Sequence, residues 1–349
     1  MFKSFSFFTY LRSVLCAATL LLCVGCITED VPNASRHGVF QSLWSTLDSR
    51  YCFFAHKADA YGLNWQEQYN RYAERIDERM SKEQLFEVLS QLCNELRDGH
   101  VNLVSPYGTA RYGAWFDKFP ANFSDTLERK YLGFTEDYRS TGTLKYKILG
   151  DNVAYVRCPS FESKWSTGAL HEMMRYLALC DGLILDLRNN GGGMLTAADQ
   201  LASLFVNEKT HVGYMAHKTA AAHDAFSAPE AIYVDPFEGL RWQKPLVVLT
   251  NRRTYSAANS IVMYLKGLPK VTIMGDQTGG GSGMPFVSEL PNGWIVRFSA
   301  CPMFNREGQH TEHGIAPDVK VDITSDDFAR SIDTIIETAR QHIKKHSSN

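Results

Sequence analysis

Apolar residues recur at helical spacing along the first regular part of the chain, from residue 38 to residue 100. Two predicted helices start at capping boxes, one at Asn64 with Glu67 and one at Ser81 with Gln84. An earlier helix carries its apolar side chains on one face, namely Phe40, Leu43, Trp44, Leu47 and Tyr51. The pattern therefore predicts a small N-terminal helical domain over residues 38–100.

Beyond residue 143, short apolar runs alternate with stretches of helical spacing. Gly182–Leu187, Leu246–Leu249 and Val271–Met274 are continuous apolar runs of the kind found in buried strands. The first two runs are each followed by a glycine-containing or polar turn and then a predicted helix. Repeated strand and helix units predict an α/β core over residues 143–325.

The remaining segments complete the predicted organisation. Gly150-Asp-Asn152 and Pro291-Asn-Gly293 each lie between strand-like runs and predict two hairpins. Residues 101–142 show no clear period and are predicted to form an irregular connecting region. The segment 326–349 contains one predicted amphipathic helix, Asp326–Lys345.

Residues 1–25 have the character of an export signal. Lys3 and Arg12 precede a short apolar run that is too brief to span a bilayer comfortably. Leu22-Cys-Val-Gly-Cys26 resembles a bacterial lipobox, in which Cys26 would be lipidated and residues 26–37 would tether the fold to the membrane. This predicts an exported lipoprotein, periplasmic or associated with the outer membrane. An ordinary signal peptide cut nearby would export the protein without an anchor.

Composition and charge exclude several classes. Of the 349 residues 44% are hydrophobic and 21% charged, which is typical of a soluble globular protein. The formal net charge is -2, and it becomes -4 when Lys3 and Arg12 leave with residues 1–25, so nucleic-acid binding is not predicted. The five cysteines after Cys26 are scattered and odd in number, so neither a disulfide framework nor a zinc site is expected. No cofactor or metal is predicted, and nothing indicates an oligomeric state.

Ser256 lies at the junction between the predicted strand Leu246–Leu249 and the helix that follows. Free backbone N–H groups and the positive end of the helix dipole can stabilise negative charge that develops on a substrate there. A serine at such a position more commonly caps its helix, and the stretch alone favours that interpretation. The run Gly191–Gly193 either lets backbone N–H groups face a ligand or forms a tight turn without one.

Five motifs occur in a characteristic order along the chain: Leu96-Arg-Asp-Gly-His100, Gly182-Leu-Ile-Leu-Asp-Leu-Arg-Asn-Asn-Gly-Gly-Gly193, Thr254-Tyr-Ser-Ala-Ala-Asn259, Gly275-Asp-Gln-Thr-Gly-Gly-Gly281 and Glu312-His-Gly-Ile-Ala-Pro-Asp318. Together they resemble the S41 family of serine peptidases, the tail-specific or C-terminal-processing proteases, which includes tricorn protease. The resemblance covers roughly residues 38–325. It implies a ClpP/crotonase-like core of ββα units behind the N-terminal helical domain.

The resemblance also implies roles for individual residues. Ser256 matches the family nucleophile, and the backbone N–H groups of Gly192 and Ala257 match the oxyanion donors. In the processing-protease branch the base is a lysine, but the matching position here is Gly281, so a Ser-Lys dyad is absent.

In the tricorn-like branch the base is a histidine, which matches His100, and a glutamate of the late loop matches Glu312. A histidine can accept a proton at neutral pH without the burial that a lysine needs. His310 and His313, which flank that glutamate, are rival bases.

Two positions depart from the tricorn-like pattern. Gly99 stands where those enzymes have serine, so the link between Glu312 and His100 is direct, through water or missing. Asn259 stands where relatives commonly have glutamate. Both departures leave room for a catalytically silent protein.

The expected function is an exported serine-type endopeptidase acting on peptides or unfolded proteins. About forty residues separate Ser105 from Thr143, fewer than the roughly 80 to 100 that an inserted PDZ domain needs. Selection would then fall to the cleft, with extended peptides paired against a strand edge. The alternatives are an S41-like binding module for apolar or peptide ligands and, by analogy of fold alone, a crotonase-like acyl-CoA enzyme.

Overall fold

A computed structural model describes residues 33–347 of the chain. The predicted export signal, Cys26 and the first part of the predicted tether lie outside the described residues. Within residues 33–347, no helix is long and apolar enough to cross a membrane.

The described residues form four consecutive helices, followed by a mixture of strands and helices. The helices are α1 (Arg36–Arg50), α2 (Phe54–Tyr61), α3 (Trp65–Ala73), α4 (Lys82–Glu95), α5 (Ala114–Asp117), α6 (Asp125–Leu132), α7 (Thr167–Leu177), α8 (Leu195–Ala202), α9 (Ala257–Leu265), α10 (Ser325–Ala329) and α11 (Thr334–His346). The strands are β1 (Asn102–Ser105), β2 (Gly108–Arg111), β3 (Arg139–Thr141), β4 (Leu144–Ile148), β5 (Val153–Arg157), β6 (Gly182–Asp186), β7 (Thr210–Met215), β8 (Glu230–Val234), β9 (Leu246–Thr250), β10 (Val271–Gly275), β11 (Gly283–Glu289), β12 (Ile295–Phe304) and β13 (Val319–Lys320).

The strands form two sheets. One has the order β13-β10-β9-β6-β5-β4-β3, and its strands from β13 to β5 are parallel. The other has the order β2-β1-β12-β7-β8, with β11 also paired to β12, and is antiparallel. The predicted hairpins are present as β4 with β5 and β11 with β12.

The mainly parallel sheet is covered on both faces. In β6, Leu183 and Leu185 pack with helices α7, α8 and α9, whereas Ile184 packs with α11 on the other face. Alternating direction of side chains along a strand explains why every residue of β6 is buried. The continuous apolar runs in the sequence are therefore strands covered by helices on both sides.

The N-terminal helices pack on the antiparallel sheet. Asn64 caps α3, and Ser81 with Gln84 forms the predicted capping box of α4. Their apolar core also contains Val296 and Phe298 of β12. The helical region is thus closed by a strand from late in the chain. Helix α2 was not predicted, because its eight residues are too few to show a period.

The prediction of one helix over Asp326–Lys345 is wrong. The structure has α10 and α11, with Ser331 between them at a positive φ of 58°. The Asp333 carboxylate accepts hydrogen bonds from the N–H groups of Ile335 and Ile336, so it caps α11 and starts a new helix. The region 101–142, predicted to be irregular, contains the short elements β1, β2, α5, α6 and β3.

Asp333 also belongs to a buried ionic network. The guanidinium of Arg188 binds Asp186 at 2.6 Å and Asp333 at 2.9 Å, and all three side chains are fully buried. Arg188 lies two residues after the end of β6, at the start of the glycine-rich turn, so this network holds that turn against the N-terminal end of α11.

We expect Asp333→Asn to lower the free energy of unfolding by about 3 kcal/mol, toward the lower end of the range for breaking a buried ion pair, because Asp186 still pairs with Arg188. Asparagine can still cap α11, so the loss reports the charge pair and not the cap. Urea unfolding measures the effect, with exposed Asp235→Asn as the control. Equal stability of the two variants would contradict the prediction.

Candidate active site

Ser256 lies in a sharp turn between β9 and α9. Its backbone has φ 59° and ψ -125°, a conformation that is strained for a residue with a side chain. Hydrogen bonds on both sides hold the turn, from Ser256 N–H to the Gly280 carbonyl and from Tyr255 N–H to the Asn190 carbonyl, both at 2.9 Å. The hydroxyl makes no capping bond to α9, so the interpretation of Ser256 as a helix cap is wrong.

The hydroxyl of Ser256 instead contacts His100. The distance from Ser256 Oγ to His100 Nε2 is 3.0 Å, which is within hydrogen-bonding range. His100 lies just before β1, and its ring is tilted against the ring of Tyr255 with 5.0 Å between centroids. The structure therefore brings together two residues that are 156 positions apart in sequence.

The carboxylate of Asp98 holds the segment that carries His100. It accepts the backbone N–H of His100 at 2.7 Å. It also accepts the hydroxyls of Tyr51 at 3.1 Å, Ser299 at 2.8 Å and Tyr255 at 3.4 Å. These donors come from the helical region, the late hairpin and the turn of Ser256, so Asp98 joins three separate parts of the fold.

The imidazole of His100 is uncharged at neutral pH. Burial lowers the pKa of His100 to about 4; the Asp98 carboxylate opposes this shift, and the charges of Arg297 and Arg111 add to it. Within residues 33–347, Nδ1 has no partner at hydrogen-bonding distance, although the Gly283 carbonyl interacts with the ring and raises its pKa. A neutral ring can accept a proton on Nε2.

Two backbone positions border Ser256 on the other side. Ala257 is the first residue of α9, so its N–H has no preceding turn to bond. Gly192 has φ +98°, and a Cβ there would lie 2.7 Å from the Cβ of Ser256. Its N–H donates to the side-chain oxygen of Asn190 at 2.9 Å. Both positions thus adjoin Ser256, and within residues 33–347 the Ala257 N–H has no hydrogen-bond partner, whereas the Gly192 N–H has one.

Glu312 lies in the same buried region but does not bond to His100. Its carboxylate binds Lys57 Nζ at 3.0 Å and accepts the Ser282 N–H at 2.9 Å. Burial and the charge of Asp98 raise the pKa of Glu312 to about 7, while Lys57 acts in the opposite direction. One ammonium therefore faces two buried carboxylates, and Glu312 is the one that retains a proton more readily.

The rival bases His310 and His313 lie in a separate group of rings with His56. Nδ1 of His313 is 3.1 Å from Nε2 of His56, and the His310 and His56 rings are 4.5 Å apart. Among the described residues, neither ring has a hydrogen bond to Ser256. No group of three His, Cys, Asp or Glu residues in the described part of the chain is arranged to hold a metal ion.

Packing explains Gly99 and Asn259, the departures from the tricorn-like pattern, and also Gly281, which stands where the processing-protease branch has lysine. A Cβ at Gly99 would lie 2.1 Å from the indole of Trp115, so a serine does not fit there. A Cβ at Gly281 would lie 2.3 Å from the Tyr255 ring, and φ is +74°, so a lysine at this position is excluded as well. Buried Asn259 accepts the Thr278 hydroxyl at 2.6 Å and donates to Thr311, which joins α9 to two loops.

Sequence reasoning missed the residues that support the dyad. Asp98 lies inside the motif Leu96-Arg-Asp-Gly-His100, but the sequence does not show which groups its carboxylate binds. Lys57 and Trp115 carry no signal in the sequence, because their hydrogen bonds to Glu312 and to the Arg252 carbonyl join residues more than a hundred positions apart.

Comparisons with known proteins identify relatives of this chain. A family model described as peptidase family S41 matches residues 152–321, and one described as the tricorn protease C1 domain matches residues 32–94. The carboxyl-terminal-processing protease of Synechocystis sp. is 32% identical over 178 residues, which cover 50% of this chain and 39% of that protein. The chain spans between 33% and 41% of the length of the first curated relatives it matches.

Solved structures show the same fold over more of the chain. A candidate peptidase from Parabacteroides merdae is 43% identical with a TM-score of 0.84, covering 89% of this chain and 97% of that one. Mature CPAF in complex with lactacystin is 12% identical with a TM-score of 0.68, covering 90% and 97%, a likeness of fold alone. The predicted fold class is confirmed.

We expect His100 to titrate near pH 4, because burial disfavours the charged ring and so lowers its pKa to about 4, below the usual value for histidine. The chemical shift of its Cε1–H against pH measures this by NMR, and His100→Gln identifies the resonance. A midpoint near 6.5 would contradict the environment described here.

We expect Glu312→Gln to change how stability depends on pH. The ordinary pKa of this carboxyl is 4.5 and the folded value is about 7, so the folded chain retains a proton that the unfolded chain loses. Wild-type stability then falls as pH rises between these two values, and the glutamine variant lacks this loss. Urea unfolding at several pH values measures the free energy of unfolding. The value for Glu312→Gln minus that of the wild type should increase as pH rises between these two pKa values. The exposed control Glu307→Gln should show no such trend. A constant difference would refute the assignment.

Proposed function

Because this chain belongs to peptidase family S41, we propose that it is an exported serine-type endopeptidase that hydrolyses peptide bonds of peptides or unfolded proteins. The observation that carries the proposal is the 3.0 Å contact between Ser256 Oγ and His100 Nε2 at a strained strand-to-helix turn. The curated relative from Synechocystis, named as a carboxyl-terminal-processing protease, supports a peptide or protein substrate.

Ser256 is the nucleophile and His100 is the base in this proposal. As Oγ bonds to the scissile carbonyl carbon, its proton moves to His100 Nε2 and the carbonyl oxygen becomes an oxyanion. The imidazolium then gives that proton to the leaving amine, the C–N bond breaks, and an acyl-enzyme remains. Water, deprotonated by the same nitrogen, hydrolyses the ester and regenerates the hydroxyl.

The surrounding charges act on His100 in opposite directions: Arg297 and Arg111 favour the neutral ring, and Asp98 favours the imidazolium. A base with a pKa near 4 is fully unprotonated at neutral pH, and the Asp98 carboxylate stabilises the imidazolium that forms during the reaction. Proton transfer to Nε2 requires the resting proton on Nδ1, and the Gly283 carbonyl interacts with that ring. Burial of the site strengthens each of these interactions.

The oxyanion is proposed to bind to the backbone N–H groups of Ala257 and Gly192. The first is free at the start of α9, where the helix dipole adds to it. The second must exchange its bond to Asn190 for one to the oxyanion. The Gly192 donor would therefore act in the transition state and not in the resting site.

Glu312 is proposed to support the site from a distance. Its contacts with Lys57 and Ser282 fix the segment just before Gly283, whose carbonyl faces His100. Glu312 is a positioning residue in this arrangement. The group proposed to orient His100 is the backbone carbonyl of Gly283 and not the Glu312 side chain. The departures at Gly99 and Asn259 no longer favour a silent binding module, because both have packing explanations.

The cellular location is part of the proposal. Lys3, Arg12 and the run ending at Cys26 support export followed by lipidation of Cys26. The protein would then act outside the cytoplasm, anchored to a bacterial membrane.

We expect Ser256→Ala to abolish cleavage of a labelled, unfolded protein substrate and His100→Gln to lower kcat/KM by about a thousandfold or more. Ser260→Ala, one helical turn further along α9, is the matched control and should retain activity. A fluorophosphonate probe should label wild type and the Ser260→Ala variant but not the Ser256→Ala variant. If the Ser256→Ala variant cleaved the substrate as fast as the wild type, the proposal that Ser256 is the nucleophile would be contradicted.

A further inference from the structure

Three histidine rings meet where helix α2 faces the loop that carries Glu312. His56 belongs to α2, and His310 and His313 belong to residues 305–318, between β12 and β13. The ring centroid of His56 lies 4.5 Å from that of His310 and 4.6 Å from that of His313. The three rings therefore form one histidine cluster that joins an early helix to a late loop.

The partners of His313 determine which of its nitrogens carries a proton. Its Nε2 lies 3.4 Å from the ammonium of Lys57, which can only donate, so this nitrogen is an acceptor. The proton of the neutral ring is then on Nδ1, which lies 3.1 Å from His56 Nε2 and donates to it. A directed chain of hydrogen bonds thus runs from Lys57 through His313 to His56.

This chain of hydrogen bonds exists only while both rings are neutral. A proton on His56 Nε2 would face the N–H of His313, and a proton on His313 Nε2 would face the ammonium of Lys57. Lys57 is fully buried and also paired with Glu312, so it cannot turn away from a charged ring. Protonation of either ring therefore breaks the contact between α2 and the loop.

The charges around the histidine cluster oppose protonation in place. Burial lowers the pKa of His56 to about 3 and that of His313 to about 4, and it also lowers the pKa of His310. The charge of Lys57 acts in the same direction on all three rings, and a charge on one ring disfavours a charge on its neighbours. The charge of Asp98 opposes the shift at His313. The rings bind protons more readily in water, where the ordinary pKa is 6.5.

Separation of the rings is therefore linked to proton uptake. Above pH 6.5 they are neutral both in contact and in water, so pH has no effect through them. Below this pH separated rings bind protons and rings in contact do not, which favours separation by up to about tenfold per pH unit for each ring. Glu312 acts in the opposite direction, because its pKa of about 7 falls to 4.5 in water and it then loses one proton. Three protons gained and one lost favour separation by up to about a hundredfold per pH unit between pH 6.5 and pH 4.5.

The histidine cluster is connected to the catalytic base through Lys57. The Lys57 ammonium that contacts His313 also binds Glu312 at 3.0 Å, and Glu312 accepts the Ser282 N–H at 2.9 Å. Ser282 precedes Gly283, whose carbonyl interacts with the ring of the base. Movement of the segment around His313 would therefore remove the contacts that hold this carbonyl in place.

We propose that the histidine cluster is an acid-sensitive contact, which holds the loop of Glu312 against α2 at neutral pH and releases it as the solution becomes acidic. Release stops catalysis at a pH at which His100 is still unprotonated. The effect on catalysis rests on the proposed peptidase function, whereas the release of the loop does not.

Amide hydrogen exchange of the Ser256→Ala protein measures release without any need for hydrolysis. The N–H groups of Gly281 and Ser282 bond to the carbonyl and the carboxylate of Glu312, so both become accessible when the loop moves. We expect their protection factors, corrected for the intrinsic exchange rate, to fall at least tenfold between pH 7 and pH 5.5.

The double variant His56→Gln with His313→Gln, made in the same protein, removes two titrating rings and keeps an amide oxygen that can accept from Lys57. The proton changes of the remaining ring and of Glu312 then cancel, so protection should change by less than about twofold over this range. His171→Gln, at a partly buried histidine of α7, is the matched control and should show the full decrease. Constant protection in the parent protein, or an equal decrease in the double variant, would overturn the inference.

The pH dependence of cleavage separates this inference from the proposed function. In the active protein kcat/KM should decrease above pH 4 already, and by more than tenfold per pH unit, whereas the double variant should lose activity near pH 4 with the single proton of His100. A single-proton loss near pH 4 in the wild type would overturn the inference and leave the peptidase assignment intact. If the wild type cleaves no peptide but the exchange result is as expected, the proposed function fails and the acid-sensitive contact is supported.

Discussion

The site depends on a single buried carboxylate. Asp98 receives hydrogen bonds from Tyr51, from Ser299 and from Tyr255, which belong to the N-terminal helices, the late hairpin and the turn of Ser256. It also receives the backbone N–H of His100. A buried carboxylate is tolerable only when it is fully bonded or paired. The need to satisfy Asp98 therefore draws three distant segments together and leaves the imidazole beside the hydroxyl.

Packing around Tyr255 determines which base the fold can use. Its ring lies against His100, is stacked on Trp115 at 4.8 Å, and fills the space above Gly281. Any side chain at Gly281 would meet this ring, so a lysine cannot approach Ser256 from that direction. The aromatic pair in turn requires glycine at position 99.

The charged side chains near Ser256 and His100 form two groups that differ in burial. In the buried group, one Lys57 ammonium interacts with the carboxylates of Asp98 and Glu312. The pKa of Glu312 is raised, so this carboxyl retains a proton more readily and the net negative charge is reduced. In the less buried group, the positive charges of Arg111 and Arg297 lower the pKa of His100 and so favour its neutral form.

The sequence by itself determined the family, the α/β core, the strand before Ser256 and the capping of the early helices, because each of these depends on local spacing or on short ordered motifs. It did not show that α2 exists, that Asp333 divides the last helical segment, or that Glu312 bonds to Lys57 and not to His100. Those features follow from contacts between residues far apart in the chain. Only the tertiary structure decides them, because satisfying a buried charge or filling a cavity depends on which distant side chains arrive at the same place.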